Sequence, residues 1–370
     1  MKIAMIGQKG VVVGDRGGGI EVHVAEISRR LVGLGHQVTV YARAAYDPYK
    51  KSSYFGARVI FLPTIYRKNI EAIIHTFIST LHAVTQGNDI IHYHGVGPAT
   101  LAWIPRIFSP KSRVIVTFHS QDKMHGKWGK IAKAYLGFGE WAAAKFPHYC
   151  ITVSHVLQVY VRDVLRRQAI YIPNGAEIKA GPGSDLLASF GLSSKQYVLN
   201  VGRVVPQKGI HFLVAAWKKL ETDKKLVIVG APSFTDAYIK DLKKQAHDDP
   251  RIIFLGFQKG RTLDQLYANA YLYVHPSEAE GLPLVILEAM SFGIAPLVSD
   301  IPPNVEAIHG AGWTFRSTDV EDLTARLRFL LVDQDEVRSR GELAREIVRT
   351  KFNWDIIASR IEGVYISSRH

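Results

Sequence analysis

Two carboxylates eight residues apart, Glu280 and Glu288, bracket the run Gly281-Leu282-Pro283-Leu284-Val285-Ile286-Leu287. The first ends a loop, a proline stands in the first turn of the helix that follows, and the second rides on that helix. The backbone N–H groups of Gly281 and of the turn through Leu284 and Val285 have no helical partners and point toward a place where an anion would be stabilised. An ionised glutamate only accepts hydrogen bonds, so Glu288 can take two vicinal hydroxyls of a ribose, while Glu280 stands where sugar hydroxyls can reach it. Taken alone, the pair also suits two solvated helix carboxylates. A second loop changes that balance. Val201-Gly202-Arg203-Val204-Val205-Pro206-Gln207-Lys208-Gly209 follows an apolar strand and precedes a helix. Arg203 can bind a diphosphate bidentately and Lys208 as a point charge, and the two together can stabilise a departing anion. A solvated basic loop is the plain alternative.

These loops need strands to hold them. Short β-branched runs alternate with longer amphipathic stretches: Val38–Tyr41, Arg58–Phe61, Ile90–His94, Val114–Phe118, Ile151–Val153 and Ile170–Ile172 in the first half, then Tyr197–Val201, Leu226–Val229, Ile252–Leu255, Tyr271–Val274 and Pro296–Ser299. The alternation predicts βαβ units and two parallel sheets. Pro173-Asn174-Gly175 and Ala180-Gly181-Pro182-Gly183-Ser184 interrupt the pattern, which places the linker near 174–184. A chain of 370 residues suits two domains better than one. Ligands of open parallel sheets collect at the carboxyl ends of strands. That rule selects Gly7–Gly19, His94-Gly95 and His119-Ser120 in the first half, and Gly202–Gly209, Gly230, Gly256 and His275–Pro283 in the second.

The residues, their spacing and their order resemble the retaining glycosyltransferases of family 4, which have the GT-B fold. The resemblance rests on Gly17-Gly18-Gly19-Ile20-Glu21-Val22-His23-Val24 after the first strand, on Gly202–Gly209, on Ser277–Glu288 with its E-x7-E spacing, and on Phe352-Asn353-Trp354-Asp355 before the last helix. It implies an α/β fold of two Rossmann-like domains with parallel sheets facing a central cleft: an acceptor-side domain over 1–177, a donor domain over 178–352, and a final helix over 353–370 that crosses back. It implies that Arg203 and Lys208 hold a nucleotide diphosphate, Glu288 the ribose and Glu280 the donor sugar. Gly256, Gly281, Leu282, Leu284 and Val285 complete the donor side, and Gly18 and Gly19 approach the phosphates from the other domain. His119, at the end of a strand, would touch the donor sugar, and His94 would line the acceptor side. Within the family, Met1–Gly10, Thr117–Asp122 and Lys127-Trp128-Gly129 are similar to bacterial enzymes of capsule, exopolysaccharide or O-antigen assembly. The expected partners are a UDP-sugar and a glycan or lipid-linked acceptor.

Other groups weigh less. His92 and His94 share a strand face and with His119 could suggest three metal ligands, but no carboxylate or thiol joins them at ligand spacing, so no metal and no other cofactor is expected. Asp333-Gln334-Asp335 reads as solvated helix charge. Cys150 sits in an apolar strand as core, and a lone cysteine suits a reducing cytosol. The opening lacks the G-x-G-x-x-G fingerprint of a nicotinamide dehydrogenase, while a nucleotide-sugar epimerase remains the enzymatic rival.

Charge is lopsided: residues 1–177 carry 22 Lys and Arg against 10 Asp and Glu, while the remainder is nearly neutral. No nucleic-acid module accompanies that basic half, so no nucleic-acid partner is expected. Two stretches there mix basic and apolar residues, Tyr66-Arg67-Lys68 into Ile70, Ile73, Ile74, Phe77 and Ile78, and Lys127, Lys130 and Lys133 among Trp128, Ile131, Tyr135 and Leu136. Either their apolar faces pack inward, or they meet an anionic membrane surface. No apolar run is long enough for a membrane span and no secretory signal is read at the start, so the expected place is the cytoplasm, with peripheral attachment to the inner face of the plasma membrane.

Overall fold

The computed structural model describes residues 1–11, 17–47, 49–67, 70–121, 129–232 and 235–369. Backbone contacts divide the chain into two units, Met1–Asn174 with Trp354–His370, and Gly175–Asn353. Ala176 already belongs to the second unit, because its N–H donates to the Phe352 carbonyl at 2.7 Å.

In the first unit the strands are β1 (Lys2–Ile6), β2 (Gln37–Arg43), β3 (Ser53–Tyr54), β4 (Ala57–Leu62), β5 (Ile90–His94), β6 (Arg113–Phe118), β7 (Tyr149–Thr152) and β8 (Ile170–Tyr171). They lie in the order β3-β4-β2-β1-β5-β6-β7-β8. All neighbours are parallel except β3 and β4, an edge hairpin turning through Phe55 and Gly56, both at positive φ. That short strand escapes a reading based on periodicity. Strands such as β1 and β5 are buried on both faces, as parallel strands covered by helices must be; β1 is apolar from Ile3 to Ile6, whereas β5 also buries His92 and His94. Cys150 lies inside β7, where burial pushes its thiol up to about 12.

The second unit holds β9 (Tyr197–Val201), β10 (Lys225–Val229), β11 (Ile252–Gly256), β12 (Leu272–His275), β13 (Pro296–Ser299) and β14 (Trp313–Phe315). Their order is β11-β10-β9-β12-β13-β14, with every pairing parallel. Its core gathers Trp217, Leu226, Ile228, Leu272, Val274, Leu297 and Phe315. Burying each such side chain is worth roughly 1.5–3 kcal/mol. Strand order reverses at β1 in the first sheet, between β2 and β5, and at β9 in the second, between β10 and β12. Crevices open at such reversals.

The last helix, Trp354–Ser367, buries Ile357, Ile361 and Tyr365 and turns Ile356 to solvent, since a neighbour in sequence stands about 100° around the helix from Ile357. The helix Glu71–Thr85 is turned inside out. It buries Glu71, His75, Thr76, Ser79, Thr80 and Ala83, while Phe77 and Leu81 are exposed and Ile73, Ile74 and Ile78 only half-buried. The polar side chains have partners inside. Tyr46 donates to Glu71 at 2.9 Å, His75 Nε2 lies 3.0 Å from the Ala42 carbonyl, and Thr80 meets the Tyr93 hydroxyl at 2.9 Å. Of the second basic stretch, Lys127 and Trp128 lie outside the described residues. Asp333 caps the helix Gln334–Lys351 by accepting from the Glu336 N–H, and Asp335 pairs with Arg338.

Candidate active site

Both chemistry-bearing loops of the second unit leave neighbouring strands at its reversal point, β9 and β12. Two bonds bind them together: Glu278 N–H to the Gln207 carbonyl at 2.9 Å, and Ser277 Oγ to the same carbonyl at 3.1 Å. The approach is so close at Gly209, at φ +64°, that a Cβ there would stand 2.0 Å from the Pro276 carbonyl oxygen. Only glycine permits it.

This junction brings Lys208 Nζ into an ion pair with Glu280 Oε1, and His275 Nε2 lies 2.7 Å from the same oxygen. Behind His275, the Tyr273 hydroxyl stands 3.2 Å from Nδ1 and donates to the Val201 carbonyl. Burial alone would raise the Glu280 carboxyl, but the Lys208 ammonium and the His275 hydrogen bond hold it well below the ordinary carboxylate range. His275 is driven down by burial, against the pull of Glu280. Glu280 is therefore ionised and engaged. Arg203 differs: it is exposed, and its side chain makes no hydrogen bond or ion pair among the described residues. One cation is thus held in place and the other is available to a ligand.

Glu288 sits on the helix Leu284–Ser291, where the buried Tyr267 hydroxyl donates to Oε2 at 3.1 Å. Pro283 is the N-cap residue, one position before the first turn in which it was expected, because its ψ of 110° is still extended. Gly281 and Leu282 are buried in the loop before it, and Leu284 and Val285 open the helix. Gly256 ends β11 two strands away from β9, with open space where a Cβ would be. His275 was legible only as a strand-end position; a histidine five residues before a glutamate at such an end was the available signal.

In the first unit, Gly18 caps the helix Gly19–Gly33, and its N–H donates to Glu21 Oε2 at 2.8 Å, while the Lys9 N–H donates to Oε1 at 3.0 Å. The Gly18 donor is therefore taken by the helix's own third residue, and Gly19 begins the helix. Gly7, at φ +118°, lets the β1 end pass the His94 carbonyl, where a Cβ would stand at 2.6 Å. His94 and His119 are both buried, with His94 Nδ1 3.3 Å from His119 Nε2. The histidine that joins them is His23, not His92. His92 is consumed by Tyr365 at 2.6 Å and Thr117 at 2.8 Å, whereas the rings of His23 and His119 are 4.9 Å apart.

Comparisons with known proteins cover both units. The model of the Glycosyltransferase Family 4 matches residues 17–179, and that of the Glycosyl transferases group 1 matches 188–347. The sulfoquinovosyl transferase of Arabidopsis thaliana is 34% identical over 185 residues, 49% of this chain but only 35% of that enzyme. The phosphatidyl-myo-inositol mannosyltransferase of Mycolicibacterium smegmatis is 25% identical over 367 residues, covering 95% of this chain and 90% of that one. Among solved structures, Anabaena HepE in complex with UDP and glucose superposes with a TM-score of 0.81 at 20% identity, covering 99% of this chain and all of that one.

Proposed function

We propose, for a chain that belongs to the family-4 glycosyltransferases of the GT-B fold, that it moves a hexose-type sugar from a nucleotide diphosphate donor to a glycan or lipid-linked acceptor, with retention at the anomeric carbon. The observation that carries the reading is the Lys208–Glu280 ion pair at one sheet reversal, on a loop that also presents the exposed Arg203, with Glu288 eight residues further on a helix. Arg203 and Lys208 bind the diphosphate and stabilise the charge that grows on it as the glycosidic bond breaks. Glu288, held by Tyr267, takes the ribose hydroxyls. Glu280 and His119 orient the sugar, and the leaving phosphate oxygen removes the acceptor proton on the same face. A front-face route is favoured because Glu280, ion-paired to Lys208 and bonded to His275, is a poor nucleophile. The two cations do the work of a metal on the diphosphate. UDP is the favoured nucleotide, in line with the UDP bound to Anabaena HepE, and the pathway class is surface polysaccharide synthesis. The test is a thermal-shift panel of nucleoside diphosphates, followed by NMR of the product anomer. No stabilisation by any of them removes the reading; an inverted product removes the front-face route.

The acceptor reading extends to a membrane surface. The helix that exposes Phe77 and Leu81 contacts the helix Trp103–Phe108, which exposes Trp103, Ile107 and Phe108 together with Arg106. Apolar side chains rimmed by positive charge suit an anionic bilayer, and the excess charge of residues 1–177 has the same sign. No described helix is long and apolar enough to cross a membrane. These features support peripheral attachment at the cytoplasmic leaflet, reversible by salt. Sedimentation with anionic and with neutral vesicles at low salt decides it: equal, negligible binding to both leaves a soluble acceptor.

A further inference from the structure

The first unit contains a group that the transfer reaction leaves unused. His23, on the helix Gly19–Gly33, is buried, and its Nδ1 lies 3.0 Å from Asn174 Oδ1. An amide oxygen only accepts, so Nδ1 carries the proton and Nε2 is left with a bare lone pair. That Nε2 is buried and has no hydrogen-bond partner. An orphaned acceptor in such a place is costly unless something with positive character meets it.

What faces it are two more histidines. One ligand nitrogen from each of His23, His94 and His119 lies within 4.8 Å of the others. His94 Nε2 is 3.4 Å from Met5 Sδ, a sulfur that only accepts, so its proton is on Nε2 and Nδ1 offers a lone pair toward the same centre. His94 Nδ1 and His119 Nε2 are 3.3 Å apart. Two nitrogens about 2.0–2.1 Å from a tetrahedral zinc stand about 3.3 Å from each other. His119 completes the set by carrying its single proton on Nδ1 rather than Nε2, a tautomer change that releases no proton.

We propose that His23, His94 and His119 form a three-nitrogen site for a late first-row divalent cation of the zinc class, with its fourth position open. Asn174 is its positioning residue, fixing the ring and tautomer of His23 from behind. His119, the least buried of the three at 8% exposure, gives the ion its approach. The site's three histidines belong to the first unit and the diphosphate loops to the second. Its consequence for turnover rests on the reading of His119 as a sugar contact: a bound ion occupies that side chain and inhibits transfer.

The test uses the full chain without a histidine tag, titrated with cobalt(II) and followed by visible absorption. The expected result is one equivalent bound, with the intense band of tetrahedral cobalt, displaced by zinc. His23→Gln should lower the affinity about a hundredfold or more, and Asn174→Ala roughly 10–100-fold, as expected for a group behind the ligand. Circular dichroism melting of each variant separates loss of the site from loss of fold. An octahedral spectrum, or a tetrahedral one that survives in both folded variants, overturns the proposal. Because cobalt absorption needs no nucleotide sugar, its failure is distinguishable from failure of the transferase reading.

Discussion

Arg203 and Lys208 bring the same charge to one loop and meet different surroundings, so they should fail differently. Arg203→Ala removes an exposed side chain without described partners, and its effect on stability should stay within about 0.5 kcal/mol. Turnover should nevertheless fall about a hundredfold or more, because the contact strengthens as the diphosphate leaves. Lys208→Ala should lower turnover as much and also cost roughly 1–3 kcal/mol, since it leaves the Glu280 carboxylate with less than its buried partners supply. Paired denaturation curves and kcat measurements check this. If Arg203→Ala turns over normally, it is not a clamp. The spacing of these residues was legible because a loop between a strand and a helix is a local feature. That Lys208 holds Glu280 across 72 residues was not, because nothing near either one encodes the other.

At the scale of single elements, the glycines of the second unit separate two costs. Gly209 and Gly256 both sit at left-handed φ, +64° and +66°, yet only at Gly209 would a Cβ strike backbone, the Pro276 carbonyl. Gly256→Ala should therefore cost only about 1–2 kcal/mol, the backbone penalty. Gly209→Ala should cost more and should also weaken nucleotide binding, because the loops after β9 and β12 must separate. Equal losses of stability in urea would refute the close-approach account. The inverted helix makes a second prediction. Phe77→Gln and Leu81→Gln, on exposed positions of Glu71–Thr85, should change stability by no more than about 0.5 kcal/mol. Each should weaken binding to anionic vesicles roughly tenfold or more, the worth of one buried apolar side chain. Vesicle sedimentation reads the second effect, and unaltered binding removes this surface from the membrane reading. The helix's periodicity was visible in its sequence. Which face turns inward was not, because the partners of Glu71, His75 and Thr80 come from Tyr46, Ala42 and Tyr93.

Across the whole molecule, the two units should answer different perturbations. His23 and His75 in the first unit are held neutral by burial, each lowered to about 4, and His92 is lowered to about 3. A depressed folded pKa contributes stability that is complete above the unfolded value near 6.5 and is lost as pH falls through the folded value. The first unit should thus lose stability between about pH 6.5 and 3, most of it above pH 4. UDP should instead raise the transition of the second unit, by binding only its folded form. Calorimetry at stepped pH, with and without UDP, tests both. The pair fails if acid first lowers the transition that UDP raises.

Sequence by itself determined the alternating strands and helices, the two-sheet plan, the basic loop and the spaced glutamates. Each of those follows from backbone preferences and apolar period over a few residues, where neighbours in chain are neighbours in space. Tertiary structure alone decided the partners. His92 and His94 share one strand face by their spacing, yet Tyr365, 273 residues away, claims the first, while His23 joins the second beside His119. The same is true of Glu280, whose charge is set by Lys208 and His275 rather than by its place before a helix. A side chain's period says which way it points. What it meets depends on which strands lie side by side, and that is a sum over distant residues in which no single stretch has the deciding share.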